Sequence, residues 1–302
     1  MATASDPQLA GARSFELHRC ERCGTAITVG VGPDPGALYE AGTYAEPRGW
    51  ARRALAPLRA LAERDRLRFV ERLPAGARVL EIGAGAGDLV ARMHDLGLDA
   101  WGLEPSPAAD QAQAKGIEVV KVAVEQAEVE PASQDAVVLW HSLEHLEDPA
   151  RALGRVSSWL RPGGMIVVAV PNLDSLQARV GGDRWFHQDV PRHRTHFTPG
   201  GATSLLERSG FRVERIRHLL IEQNPLGMWQ TMLNRLTVER DFGFRLIKGD
   251  LEAVPGSIRA RDLVVTALAG ALLAPLAVVL ELGAGLARRG GSIVIDATMR
   301  SA

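Results

Sequence analysis

The chain is short of the residues that mark a secreted or nucleic-acid-binding protein. Two cysteines in 302 residues cannot supply a disulfide framework. Basic and acidic side chains nearly cancel, 35 against 36, leaving a net charge of −1. No basic surplus is there to neutralise phosphates along a nucleic acid. The first 19 residues hold no apolar run of the kind a secretory leader needs, so the expected compartment is the cytoplasm. No internal repeat is visible. One stretch lacks charge altogether: Leu263 to Leu280, 18 residues. Tyrosine occurs twice, as Tyr39 and Tyr44, both in a Gly- and Pro-rich loop at 30–47.

What is present centres on Arg78-Val79-Leu80-Glu81-Ile82-Gly83-Ala84-Gly85-Ala86-Gly87-Asp88-Leu89. A short apolar run reads as a buried strand. Glycines at alternate positions follow it, and a helical pattern then begins. A strand, a glycine turn and a helix start let backbone come close to a ligand, with helix N–H groups facing it. The dinucleotide pattern G-x-G-x-x-G would need its last glycine where Asp88 stands, which disfavours a nicotinamide oxidoreductase. Glu81 is a poor neighbour for a pyrophosphate and suits a cationic amine or sulfonium. Glu104 ends the next apolar run, where a carboxylate meets ribose hydroxyls in doubly wound folds.

These residues resemble the cofactor motifs of the class I S-adenosylmethionine-dependent methyltransferases. The resemblance continues through Trp140-His141-Ser142-Leu143-Glu144-His145-Leu146-Glu147-Asp148-Pro149 and Leu160-Arg161-Pro162-Gly163-Gly164, and it covers roughly 70–220. It implies S-adenosyl-L-methionine as cofactor. It further implies contacts from Glu81, Gly83, Ala84, Gly85, Gly87, Glu104, Pro105, Ser106, Val124, Glu125 and Trp140, with Tyr44 over the methionine end. Relatives carry a P-x-H-x-x-x-F-T pattern, which Pro191, His193, Phe197 and Thr198 match.

The rest of the chain reads as α/β. Strands at 79–82, 100–104, 117–122, 136–140 and 165–170 alternate with helices at 88–96, 108–115 and from Pro149 to the Pro162-Gly163-Gly164 stop, with a short helical turn near 125–129. Such alternation implies a doubly wound, Rossmann-like sheet with ligands beyond the carboxyl ends of its strands. The resemblance makes it seven-stranded and mostly parallel with an antiparallel last strand, the closing pair being 210–216 and 290–297. A helix is expected over 50–73.

Four parts follow: 1–48, an N-terminal degenerate zinc-ribbon-like hairpin and loop beginning in a poorly ordered 1–14; 49–221, the cofactor-binding core; 222–289, an apolar helical insert; and 290–302, the last strand. Cys20-x-x-Cys23-Gly24 has the form of half a zinc knuckle, but two cysteines fall short of the four ligands of a closed site, and no metal is expected. Pro275 splits the charge-free run into two expected short helices, 262–273 and 275–287. They could form a hairpin dipping into one leaflet, with Arg259, Arg261, Arg288 and Arg289 at anionic headgroups. They could equally pack inside or build a homodimer contact. A single membrane span is disfavoured, since both flanking strands return to one sheet.

The functional expectation is methyl transfer to a small-molecule acceptor, by O-methylation, with a lipid, quinone or sugar-type substrate. Sugar C-methylation and a catalytically silent, cofactor-binding membrane adaptor are the alternatives. His193, or else His141, would act as base, because an imidazole titrates near neutral pH; the alternative for His193 is a structural histidine that bonds a backbone carbonyl. Arg192 or Arg194 could hold an anionic group. No nucleic-acid partner is expected. The protein would be cytoplasmic, or peripheral on the inner face of the membrane.

Overall fold

The computed structural model describes residues 2–6, 13–31, 63–221 and 223–300. Tyr39, Tyr44 and positions 50–62 of the expected helix lie outside them. In chain order the strands are β1 Ala2–Asp6, β2 Arg13–Arg19, β3 Ala26–Val29, β4 Arg78–Ile82, β5 Asp99–Leu103, β6 Val119–Val120, β7 Gln134–Trp140, β8 Leu160–Pro171, β9 Thr195–His196, β10 Phe211–Arg217 and β11 Ser292–Met299. Besides the helical residues 63–66, the α-helices among the described residues are α1 Asp88–Asp95, α2 Ala108–Ala114, α3 Pro149–Trp159, α4 Leu176–Gly181, α5 Pro199–Arg208, α6 Gln223–Asn234, α7 Phe242–Lys248 and α8 Gly256–Leu286. The chain divides into two units: 66–170, 199–216 and 294–302 make one; 1–65, 171–198 and 217–293 make the other.

The first unit is built on a seven-stranded sheet in the order β10-β11-β8-β7-β4-β5-β6, mostly parallel with an antiparallel last strand. Val79, Leu80, Val137, Val138, Leu139, Ile166, Val167 and Val168 are fully buried. Parallel strands covered on both faces read as unbroken apolar runs, and those runs made the centre of the sheet legible. From β4 the chain goes to β5 on one side, while β7 pairs with β4 on the other. That reversal opens a crevice at the carboxyl end of β4. Asp148 caps α3, its Oδ1 accepting the Arg151 N–H at 2.9 Å, with Pro149 in the first turn.

Local departures from expectation have physical causes. α3 stops at Trp159, and Pro162-Gly163-Gly164 lies inside β8, where a register shift and Gly163 at φ +76° absorb the irregularity. β6 keeps only two residues. Near Glu125 there is a turn over 124–126, closed by Gln126 and Ala127 N–H groups on the Ala123 carbonyl, and no helix.

The second unit contains an antiparallel four-stranded sheet, β1-β2-β3-β9. Residues 2–6 are therefore a strand, paired with 13–17, where a poorly ordered start was expected; backbone pairing overrides a weak composition. Phe15, Leu17, Ala26 and Val190 form its core. The β2–β3 turn holds both cysteines: Gly24, at φ +74°, donates its N–H to the Cys20 carbonyl at 2.8 Å. Both thiols are free. The Cys20 thiol is held below its ordinary pKa, chiefly by the Cys23 and Arg22 backbone N–H groups.

The same unit carries α6, α7 and α8. The 262–287 region is not two helices: α8 is one helix of 31 residues running through Pro275. The proline removes one backbone donor, and both it and Ala271, whose carbonyl loses that partner, are exposed residues. α6 packs along α8 through Met228, Met232 and Ala277, and Trp229 Nε1 donates to the Gly270 carbonyl at 2.9 Å.

Candidate functional site

β4 and β5 deliver a glycine turn and two carboxylates to one place. Gly83 and Ala84 both donate backbone N–H to the Leu103 carbonyl, at 2.8 and 3.1 Å. Gly83 has φ +79°, and a Cβ there would lie 2.6 Å from Ser142 Cβ. Only glycine fits, by conformation and by space. Gly87, at φ +81°, starts α1. Ala84 is packed so closely that a Cβ on Gly102 would lie 2.4 Å from its own. Glu104 is buried; its Oε2 accepts the Gly85 N–H and its Oε1 the Ser106 N–H, both at 2.9 Å. Ser106 Oγ in turn accepts the Ala108 N–H at the start of α2, after the exposed Pro105.

Glu81 is buried, and its Oε2 has no hydrogen-bond partner among the described residues. Burial pushes its pKa up to about 8. Arg66 opposes the shift, and the Glu104 and Asp88 carboxylates add to it. Arg66 Cζ also lies 5.2 Å from the Trp140 ring centroid, within cation–π reach. At the end of β7, His141 adopts φ +53°, a conformation uncommon for a side chain of this size. Its Nδ1 stands 3.2 Å from Glu144 Oε1, with Glu144 fully buried in the short 3₁₀ turn Leu143–His145.

Glu81, Gly83, Ala84, Gly85, Gly87, Glu104, Ser106, Trp140 and His141 thus share the carboxyl-end rim of one unit. Val124 is buried and Glu125 half-buried in the turn after β6. His193 belongs to the second unit. Its Nδ1 bonds the His187 carbonyl at 2.8 Å, and its own carbonyl accepts from Thr28 Oγ1 at 2.7 Å. Arg192 pairs with Asp189. Sequence reasoning did not single out Arg66, Ser142 or Glu144. Arg66 was hidden among many arginines of a helical pattern. The three-residue spacing of His141 and Glu144 was the available signal for that pair.

Three carboxylates, Glu81, Asp88 and Glu104, surround a backbone turn otherwise suited to phosphate. An acidic lining of this kind disfavours a pyrophosphate and would suit a cationic nucleoside at the crevice of a Rossmann-like sheet. The Methyltransferase domain family model matches residues 50–216, and the chain belongs to that family. A ubiquinone biosynthesis O-methyltransferase of Xanthomonas axonopodis pv. citri (strain 306) is 30% identical over 163 residues, 49% of this chain and 68% of that one. In fold, the chain is similar to a putative sarcosine dimethylglycine methyltransferase from Galdieria sulphuraria, with TM-score 0.53, 16% identity, and coverage of 85% and 92%. It is also similar to Haemonchus contortus phosphoethanolamine N-methyltransferase 2 in complex with S-adenosyl-L-methionine, with TM-score 0.51, 17% identity, and coverage of 78% and 52%. The protein is an S-adenosylmethionine-dependent methyltransferase. The residues present fit that cofactor: the buried Glu81 oxygen, without a hydrogen-bond partner among the described residues, would suit a cationic amine, and the turn at Gly83 has no room for a side chain beside Ser142.

Proposed function

We propose that the chain methylates a hydroxyl oxygen of a small-molecule acceptor, with His141 as the base. When bound, the cofactor supplies an electrophilic methyl group on a positively charged sulfur. Glu81 would hold the methionine amine and Arg66 its carboxylate. The Gly83–Gly87 backbone would lie under the cofactor, and Glu104 would receive the ribose hydroxyls on the lone pairs that Gly85 and Ser106 leave open. Val124 and Glu125 would flank the adenine, and Trp140 the sulfur end. The remaining work is alignment and exclusion of water.

The observation that carries this reading is the His141–Glu144 pair. A buried carboxylate behind Nδ1 fixes the ring and steadies the imidazolium formed when Nε2 takes the acceptor's proton. Glu144 acts as a positioning residue. For His193 we favour the loop-fixing role: its Nδ1 bonds the His187 carbonyl, its own carbonyl accepts from Thr28 Oγ1, and its Nε2 faces the Asp189 carboxylate at 3.8 Å. The relative is named a ubiquinone biosynthesis O-methyltransferase, which supports oxygen over carbon or nitrogen and a quinone-type acceptor.

Labelled methyl transfer to phenols, quinols and sugar hydroxyls tests the proposal. His141→Ala should lower kcat about 10²–10⁴-fold without changing affinity for S-adenosylhomocysteine. Glu144→Gln should keep partial activity and displace the acid limb of the pH–rate profile, which a purely structural role would leave in place. Unchanged kcat in His141→Ala would remove the proposed base.

A further inference from the structure

Helix α8 is built inside out. Its buried stripe is Asp262, Thr266, Gly270, Ala277, Glu281 and Ala284. Its outward face is aliphatic: Val264 is 59% exposed, Leu268 69%, Leu272 78%, Val279 65% and Leu286 83%. A helix on the surface of a water-soluble protein has the opposite arrangement. It is no core helix either, since 17% of its most apolar 18-residue window is buried. Monomeric proteins rarely expose continuous apolar patches beyond about 300–600 Å², and nine Leu and Val side chains stand exposed along this one helix.

The inward carboxylates bond to folded protein near both ends of the helix. Asp262 accepts the Val238 and Glu239 N–H groups at 3.1 and 2.8 Å, and Glu281 accepts the Gly291 N–H at 3.2 Å. One side of the helix is therefore held to folded protein near both ends and by α6 in the middle. A lone span would instead have lipid on every side. What remains is a strip lying along a surface. The charges that reach the surface between 256 and 290 have one sign: Arg261 is exposed and Arg259 half-buried before the strip, and Arg288 and Arg289 are exposed after it.

We propose that α8 docks the protein on an anionic lipid bilayer, its Leu/Val face sunk into one leaflet and its terminal arginines at the headgroups. An apolar strip supplies insertion, and the bordering cations supply attraction to anionic lipid. The proposal is independent of the acceptor and of the catalytic base.

Gradient flotation of the full chain tests it, with vesicles of phosphatidylcholine alone and of phosphatidylcholine mixed with phosphatidylglycerol. The wild type should float, more completely with the anionic vesicles. Leu268→Glu/Leu272→Glu should float at least about tenfold less while melting at the wild-type temperature, because both side chains face outward. Should that variant aggregate, Leu272→Gln/Val279→Gln serves the same comparison. Arg288→Ser/Arg289→Ser should lose the preference for phosphatidylglycerol. A wild type that stays at the bottom with both vesicles overturns the proposal. So does equal flotation of the folded variants, or a stable dimer in sedimentation that the glutamates convert to monomer without any vesicle binding.

Discussion

At the scale of single residues, Glu81 is the most chemically informative side chain. A carboxyl with a pKa of about 8 holds a proton at neutral pH, yet it must be a carboxylate to pair with an ammonium group. Cofactor binding should therefore release a proton. Affinity for S-adenosylhomocysteine should rise from pH 6 toward pH 8, by up to about tenfold per unit. Calorimetry in buffers of different ionisation enthalpy would count the proton, and Glu81→Gln should flatten the pH dependence while weakening binding. Glu104 works by geometry. Glu104→Ala removes acceptors from the Gly85 and Ser106 N–H groups as well as from the ligand. A loss of about 2–3 kcal/mol in cofactor affinity is expected, readable in the same titration; unchanged affinity would deny Glu104 the ribose.

At the scale of elements, the glycine turn and α8 make contrasting cases. Gly83→Ala would force φ +79° on a side chain and drive its Cβ into Ser142. The expected result is a loss of about 1–3 kcal/mol in stability, seen as a lower Tm, with cofactor binding abolished. This turn was legible in the sequence because glycine spacing, the preceding apolar run and the Glu81 and Glu104 carboxylates all point to one local geometry. The central strands were legible for a similar reason. α8 was not, because a proline in the sequence reports a lost donor and not which way that position faces. The His141–Glu144 pair was also obscure: its meaning depends on a left-handed φ at His141 that no residue type announces. Glu281 adds a further prediction. Burial raises its pKa from 4.5 to about 7, against hydrogen bonds from Gln177 and Gly291. Between those values the folded state keeps a proton that the unfolded chain has released. The stabilisation is complete below pH 4.5 and lost as pH rises through 7. Glu281→Gln should make Tm less steeply dependent on pH over this window, by on the order of 2–3 kcal/mol in stability.

At the scale of the whole molecule, the two units are threaded through each other in sequence, each made of three separate segments. Neither can be excised as one continuous piece. The family match ends at residue 216, but the sheet does not, because β11 lies between β10 and β8. A chain cut after position 289 would leave a slot one strand wide, with β10 on its far side and the backbone donors and acceptors of β8 bare. Such a truncated form should lack a cooperative melt. It would also be a receptor for its own missing piece: a synthetic peptide of residues 290–300, added in trans, should restore the melt by filling the slot.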